Sequence, residues 1–287
     1  YLGRTEEFDL LPERLTFTYL SQFENKFYQL DEALPIDKIR PMMTKSYRVF
    51  NNTAEDTETP RYESPNNFEL AVAPGGWVTL NLTSTFIHKE LMSWQAREIV
   101  PSLEEAAKHH FNEMWYYDVE FYHDPKRRAE YLDRVRKGHP DFYHTYIEGP
   151  KKVSAEWYKQ MQTKYPWNLE VEVDGGEWNG EYYMEFANTE RWTAIGKERI
   201  EEERKRMKAI PTYIKIWLID KETGNRWGIR LHPFKTEQQE QNDYKIIYDD
   251  IRLNRLYRTF QQAFPERTLS HNISEPPMNQ FATLKLK

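Results

Sequence analysis

Residues 212–220 read TYIKIWLID, residues 221–225 KETGN and residues 226–234 RWGIRLHPF. Ile214 and Ile216 on the first arm, and Ile229 and Leu231 on the second, recur with a period of two on either side of a glycine-containing turn. Successive side chains of a strand point to opposite faces, so this pattern predicts a β-hairpin with one apolar face. Lys215, Arg226 and Arg230 then occupy the other face.

Upstream the same order of strand, tight turn and strand occurs twice. Leu169, Val171 and Val173 alternate with Glu170, Glu172 and Asp174, Gly175-Gly176 turns the chain, and WNGEYYMEF at 178–186 returns. FELAVA at 68–73 runs through Pro74-Gly75-Gly76 into WVTLNLTSTF at 77–86, where Val78, Leu80 and Leu82 alternate with Thr79, Asn81 and Thr83. Gly pairs between alternating runs are hairpin signals. Three hairpins, with helical patterns between them, give the fold class: α+β, an antiparallel sheet built from β-hairpins with helices packed mainly on one face.

The helical patterns carry their own start and stop signals. Ser102 three residues before Glu105 is a capping box, followed by an apolar stripe at Leu103, Ala107, Phe111 and Met114. Asp124-Pro125 caps and opens a basic helix that Gly138 closes. Ser154 caps a short helix ending before Pro166, and Thr189 opens a charged helix through Lys208 with favourable i,i+4 pairs. Ile247, Ile251, Leu256 and Phe260 mark a final helix, and FATLKLK at 281–287 alternates as an edge strand does. At the other end, LTFTYL at 15–20 and KSYRVF at 45–50 read as strands, and Phe23, Phe27, Leu30 and Leu34 fall at helical spacing. The expected organisation is a strand and helix segment at 1–50, an acidic mobile loop at 51–67 and an α+β core at 68–287.

The 287 residues include 9 Trp, 19 Tyr and 15 Phe but only 11 Gly, about half the usual glycine share. Mean hydropathy is −0.90 and 30% of residues are charged, yet large rings supply enough burial for a sizeable core. Global disorder is excluded on that ground. No run approaches the roughly 20 apolar residues of a membrane span. Net charge is −6, which argues against a dedicated nucleic-acid binder. With no cysteine, thiol nucleophiles, zinc fingers, iron–sulfur clusters and disulfides are excluded. Cysteine avoidance is common in exported proteins, so a periplasmic or secreted location is expected. The chain starts at Tyr1 rather than Met, which leaves room for a signal or anchor upstream.

No phosphate-cradling glycine loop, nucleophile elbow or HExxH helix is present, and no cofactor is expected. His109, His110 and Glu113 have helical metal-ligand spacing, though no third ligand follows from the pattern. Glu170, Glu172, Glu181 and Glu185 cluster around the second hairpin and offer a carboxylate pair for glycoside chemistry. If the second and third hairpins adjoin, this acidic strip lies beside the basic one and cross-strand pairing absorbs both. Lys126, Arg127, Arg128, Arg134, Arg136 and Lys137 form a basic helix face interrupted by Glu130 and Asp133.

Aromatic placement is the strongest anomaly. Trp77, Trp178 and Trp227 each sit at or just after a hairpin turn, and Trp115, Tyr116 and Tyr117 head a ring-dense stretch. Exposed Trp and Tyr dominate binding hot spots. The reading that follows is a non-enzymatic protein-binding module of the exported inhibitor or toxin-immunity type. Its binding residues are Trp77, Trp178, Trp227, Trp115, Tyr116, Tyr117, Glu170 and Glu172, and the acidic balance steers it to a protein partner with a basic surface. A carbohydrate-binding or glycoside-hydrolysing protein and a metal-dependent hydrolase are the alternatives.

Overall fold

The structure is a computed structural model. It describes residues 11–49, 61–104, 113–149, 154–194, 201, 203–204, 206–231, 250–265 and 282–286. Its strands, in chain order, are β1 Arg14–Ser21, β2 Lys26–Ala33, β3 Tyr47–Val49, β4 Arg61–Glu63, β5 Asn67–Ala73, β6 Trp77–Thr83 and β7 His88–Gln95. They continue with β8 Arg97–Ile99, β9 Trp167–Val171, β10 Gly176–Phe186, β11 Arg191–Ala194, β12 Pro211–Asp220, β13 Arg226–Leu231 and β14 Ala282–Leu286. Helices and hairpin-built antiparallel sheets make this an α+β protein. The residues group into two compact units: 1–36 with 70–79 and 93–159, and 37–69 with 80–92 and 160–287.

In the first unit β1 and β2 form a hairpin, and β8 joins the free side of β2. The helix expected on Phe23, Phe27, Leu30 and Leu34 is therefore not formed: Phe27 and Leu30 lie in β2, Phe23 in the turn before it and Leu34 just after it. Asn25, at φ 55°, lies in the tight turn. Tyr28 and Leu30 pack against Val78 and Ala96, while Phe27 packs against Val119. A strand buried on both faces loses its alternation and imitates a helical stripe. The Gly75-Gly76 turn is held by Glu24, both of whose carboxylate oxygens accept the Gly75 N–H (2.9 and 3.0 Å). At Gly76 the backbone has φ +78°, and a Cβ there would lie 2.6 Å from the Tyr28 ring. The helix Pro125–Gly138 starts as expected, with Asp124 Oδ1 accepting the Lys126 and Arg127 N–H groups. Gly138 is its last helical residue rather than the residue beyond it.

The second unit contains the seven-stranded sheet β13-β12-β10-β11-β7-β6-β5, to which β5, β6 and β7 contribute residues 67–69, 80–83 and 88–92. The hairpin of β12 and β13 pairs Ile216 with Ile229 and Lys215 with Arg230, the register expected from the alternation. The second expected hairpin is not formed. β9 pairs in parallel with β14, Leu169 opposite Leu284, and β10 pairs instead with β11 and β12. Parallel partners are distant in sequence, so local alternation cannot name them. The helix expected from Thr189 is also replaced at its start. Thr189 sits in the β10–β11 turn at φ 68°, and Arg191–Ala194 is strand. Within the stretch read as an acidic loop, residues 61–63 form β4, paired with β3, while 51–60 lie outside the described residues.

Beneath the sheet, Tyr165, Trp167, Phe186, Trp192 and Phe260 make edge and tilted ring contacts with centroids 5.2–6.3 Å apart. The helix Asp250–Ala263 contributes Phe260. Lys208 lies in the same region, 3% exposed. Its ammonium donates to the carbonyl oxygens of Glu203 (2.6 Å), Arg206 (2.8 Å) and Trp167 (3.2 Å) and to Asn168 Oδ1 (3.2 Å). Burial, partly offset by the Glu203 charge, brings its pKa down to about 7.

Candidate functional site

Two arrangements in the second unit concentrate charge. The first is buried and centres on β7, where His88, Lys89 and Glu90 are consecutive and all enclosed. Asn188 Nδ2 donates to Glu90 Oε2 (2.7 Å) and to Glu190 Oε2 (3.1 Å), bridging two carboxylates. The Glu90 N–H (3.0 Å) and the Lys164 ammonium (3.3 Å) donate to Glu190 Oε1. Burial opposes the charge on Glu190, but Lys164, Arg206 and these hydrogen bonds outweigh it and hold its carboxyl below the usual range. His88 Nδ1 lies 2.6 Å from the carbonyl oxygen of Thr189, so that nitrogen carries the proton. Beyond this knot, Lys89 lies 4.1 Å from the Tyr47 ring centre and 4.8 Å from that of Trp192. Tyr47, Lys89 and Trp192 line a shallow surface depression together with Ile87 and Arg191.

The knot joins β7 to the β10–β11 turn. A G1-type bulge needs its last loop residue in the left-handed region, where a β-branched residue is strained by roughly 1–2 kcal/mol. His88 meets the Thr189 carbonyl directly, and the residues on either side of Thr189, Asn188 and Glu190, are tied to Glu90 of β7. Asn188, Glu90 and Glu190 are tied together in this way while His88 Nε2 has no hydrogen-bond partner among the described residues, and such a network rigidifies and specifies a packing. Its charges are directed at one another, and what they accomplish is register between β7 and β11, where His88 stands opposite Arg191.

The second arrangement is exposed and lies at the end of the sheet. β12 is flanked by β10 and β13, but β13 has no further neighbour among the described residues. All of Arg226 to Arg230 is exposed, Trp227 at 60% and Ile229 at 40%. Opposite residues in an antiparallel pair share a face, so Trp178, Leu218 and Trp227 form one row across β10, β12 and β13. Tyr183, Lys215 and Arg230 form another row on the opposite face. Lys215 lies 4.6 Å and Arg226 5.2 Å from the Trp217 ring centre. Trp217 itself stands opposite Gly228. Burial pushes the Tyr183 phenol up, and its hydroxyl donates to Glu185 Oε1 (2.7 Å).

Of the residues singled out from the sequence, Trp178 and Trp227 thus fall in one row, on either side of Leu218. Trp178 is half-buried, its Nε1 donating to the Glu181 carbonyl (3.1 Å). Trp77 belongs to the first unit and is buried at 8%, with the Lys159 ammonium 5.0 Å from its ring centre. Tyr117, also in the first unit, is exposed. The side chains of Trp115 and Tyr116 lie outside the described residues, as do His109 and His110. Glu170 pairs in register with Lys285 of β14, and Glu172 is exposed just past β9. Neither is on a strand paired with β10. Glu181 does meet the basic strip, through an ion pair with Arg226 at 2.5 Å. Among the described residues no cluster of three or more His, Asp or Glu is placed to hold a metal ion. The basic helix face turns much of its charge inward, Arg127 to Glu120 (2.6 Å) and both Arg136 and Lys137 to Asp133 (2.5 and 2.6 Å). No helix among the described residues is long and apolar enough to cross a membrane.

Sequence reading missed the buried knot because β7 was not recognised as a strand. Its signal was present: HKE at 88–90 lies between Ile87 and Leu91-Met92, three polar residues inside an apolar run.

A protein-family profile described as Protein of unknown function (DUF2931) matches residues 2–137, a little under half of the chain. That segment is similar to the family and does not include β12 or β13. No curated protein and no solved structure matches the chain.

Proposed function

We propose that this chain is a non-catalytic protein-binding module, of the exported inhibitor or toxin-immunity type, and that it binds through the β13 edge of its larger sheet. The observation that carries the reading is the outermost strand of that sheet: six residues long, exposed through Arg230, with Trp227 60% and Ile229 40% exposed. A strand edge with no neighbour among the described residues and with apolar side chains is a template for pairing with another chain. Trp brings large contact area at low entropic cost, which suits a hot spot. The cysteine-free composition supports an exported location.

The net charge of −6 favours a basic partner over the whole surface, but the charge at β13 has the opposite sign. The test is a photo-crosslinking residue at position 229 in the full chain, expressed in its native host, with the same residue at position 221 as control. A discrete adduct from 229 that disappears with Trp227→Ala is expected. Adducts from 229 no different from those at 221, or unchanged by the substitution, would remove β13 as the binding edge.

A further inference from the structure

We infer that the β13 edge receives an extended acidic segment of the partner protein, one that alternates carboxylate and apolar side chains and adds to the sheet as its next strand. This rests on the reading of β13 as the binding edge and specifies the chemistry that fits it. Lys215 and Arg230 stand directly opposite each other. Like charges in that position repel. Arg226 lies on the same face, four residues from Arg230, and is answered by Glu181. Among the described residues no carboxylate makes an ion pair with Lys215 or Arg230. A like-charge pair that no carboxylate among the described residues answers breaks a local rule, and such breaks concentrate at functional sites.

The surface around these cations is open in the right place. Gly228 has no side chain to cover Trp217, and a Cβ built there would have as its nearest neighbours Lys215 Cε (3.7 Å) and Trp217 Nε1 (3.8 Å). A carboxylate on an added strand can pass over Gly228 towards the Lys215 ammonium, flanked by Arg226 and Arg230. On the opposite face Trp227 and Ile229 remain for the alternate, apolar side chains. In strand addition the main-chain hydrogen bonds supply affinity and the alternating side chains supply selectivity. Burial and the charges of Arg230 and Arg226 also depress the Lys215 pKa, which an incoming carboxylate would reverse.

Two synthetic octapeptides serve as probes, one alternating Glu and Val, the other Lys and Val. Each is titrated into the full chain while hydrogen exchange is followed at residues 226–231. The Glu–Val peptide should slow exchange there and bind at least about tenfold more tightly than Lys–Val, with the preference shrinking at high salt. The double substitution Lys215→Glu, Arg230→Glu should invert the preference, whereas Arg230→Lys should keep it. If both peptides slow exchange at 226–231 equally, the edge reading stands and the acidic partner falls. If neither slows exchange there, both fall.

Discussion

Replacing Asn188 with Leu separates the buried carboxylates from the donor they share. The two side chains are close in volume, so the perturbation is mainly the loss of two charge-assisted hydrogen bonds, at 2.7 Å to Glu90 and 3.1 Å to Glu190. Hydrogen bonds to charged groups are worth roughly 1.5–3 kcal/mol each, which gives a loss of about 3–6 kcal/mol at neutral pH. That is a large fraction of the stability of an ordinary domain. The pH dependence makes the prediction specific. Asn188 is one of the groups holding the Glu190 pKa below its unfolded value, so its contribution is present above that value and lost as pH falls through the folded pKa. The gap between the native chain and Asn188→Leu, measured by urea unfolding, should be widest near pH 7 and narrow below about pH 4. A loss under about 1 kcal/mol at pH 7, or a gap that does not change with pH, would refute the view that this network fixes the β10–β11 turn to β7.

Two further outcomes concern the backbone and the buried lysine. Gly76→Ala and Gly175→Ala place a side chain at the same positive φ, +78° and +74°, but only the former meets a neighbour within 4 Å. The second should cost about 1–2 kcal/mol and the first about 2–5 by chemical denaturation, and equal losses would contradict the packing of Tyr28 on that turn. Lys208 binds its proton more weakly when folded, at about 7, than the unfolded chain does, so its contribution to stability rises with pH above 7. Compared with Lys208→Met, the native chain should gain up to about 3 kcal/mol in urea unfolding between pH 7 and 9.5, and no relative gain would show that the ammonium keeps an ordinary affinity for its proton.

The parts of this fold that were legible in the residues are those whose signals are local. The β12–β13 hairpin announces its register through Ile214, Ile216, Ile229 and Leu231, and Asp124 with Pro125 marks a helix start that the hydrogen bonds reproduce. Where a long-range partner decides, local pattern misleads. Leu169 and Val171 alternate as a hairpin arm does, yet their strand is completed by Leu284 and Leu286. Phe27 and Leu30 share a helical spacing because two different clusters need them, on opposite faces of one strand. The site divides in the same way. Trp178, Trp227 and the Lys215–Arg230 pairing follow from hairpin positions, but only the order of strands in the sheet leaves β13 last among the described strands and exposed. Thr189 has the chemistry of a helix cap, but the turn that it occupies at φ 68° is anchored to β7 by His88 at its carbonyl and by the bond from Asn188 to Glu90, partners distant in sequence.

Lys208 also gives the protein an internal clock. Its amine is enclosed by carbonyl oxygens from residues 203 and 206 and from β9, so an amine-acylating reagent reaches it only when that wrapping comes apart. Once exposed, it regains the proton affinity of an ordinary lysine and reacts slowly at neutral pH. Acylation at this one position therefore proceeds in proportion to the fraction of time that the chain around it is open, and its yield over hours reports that population without any engineered label.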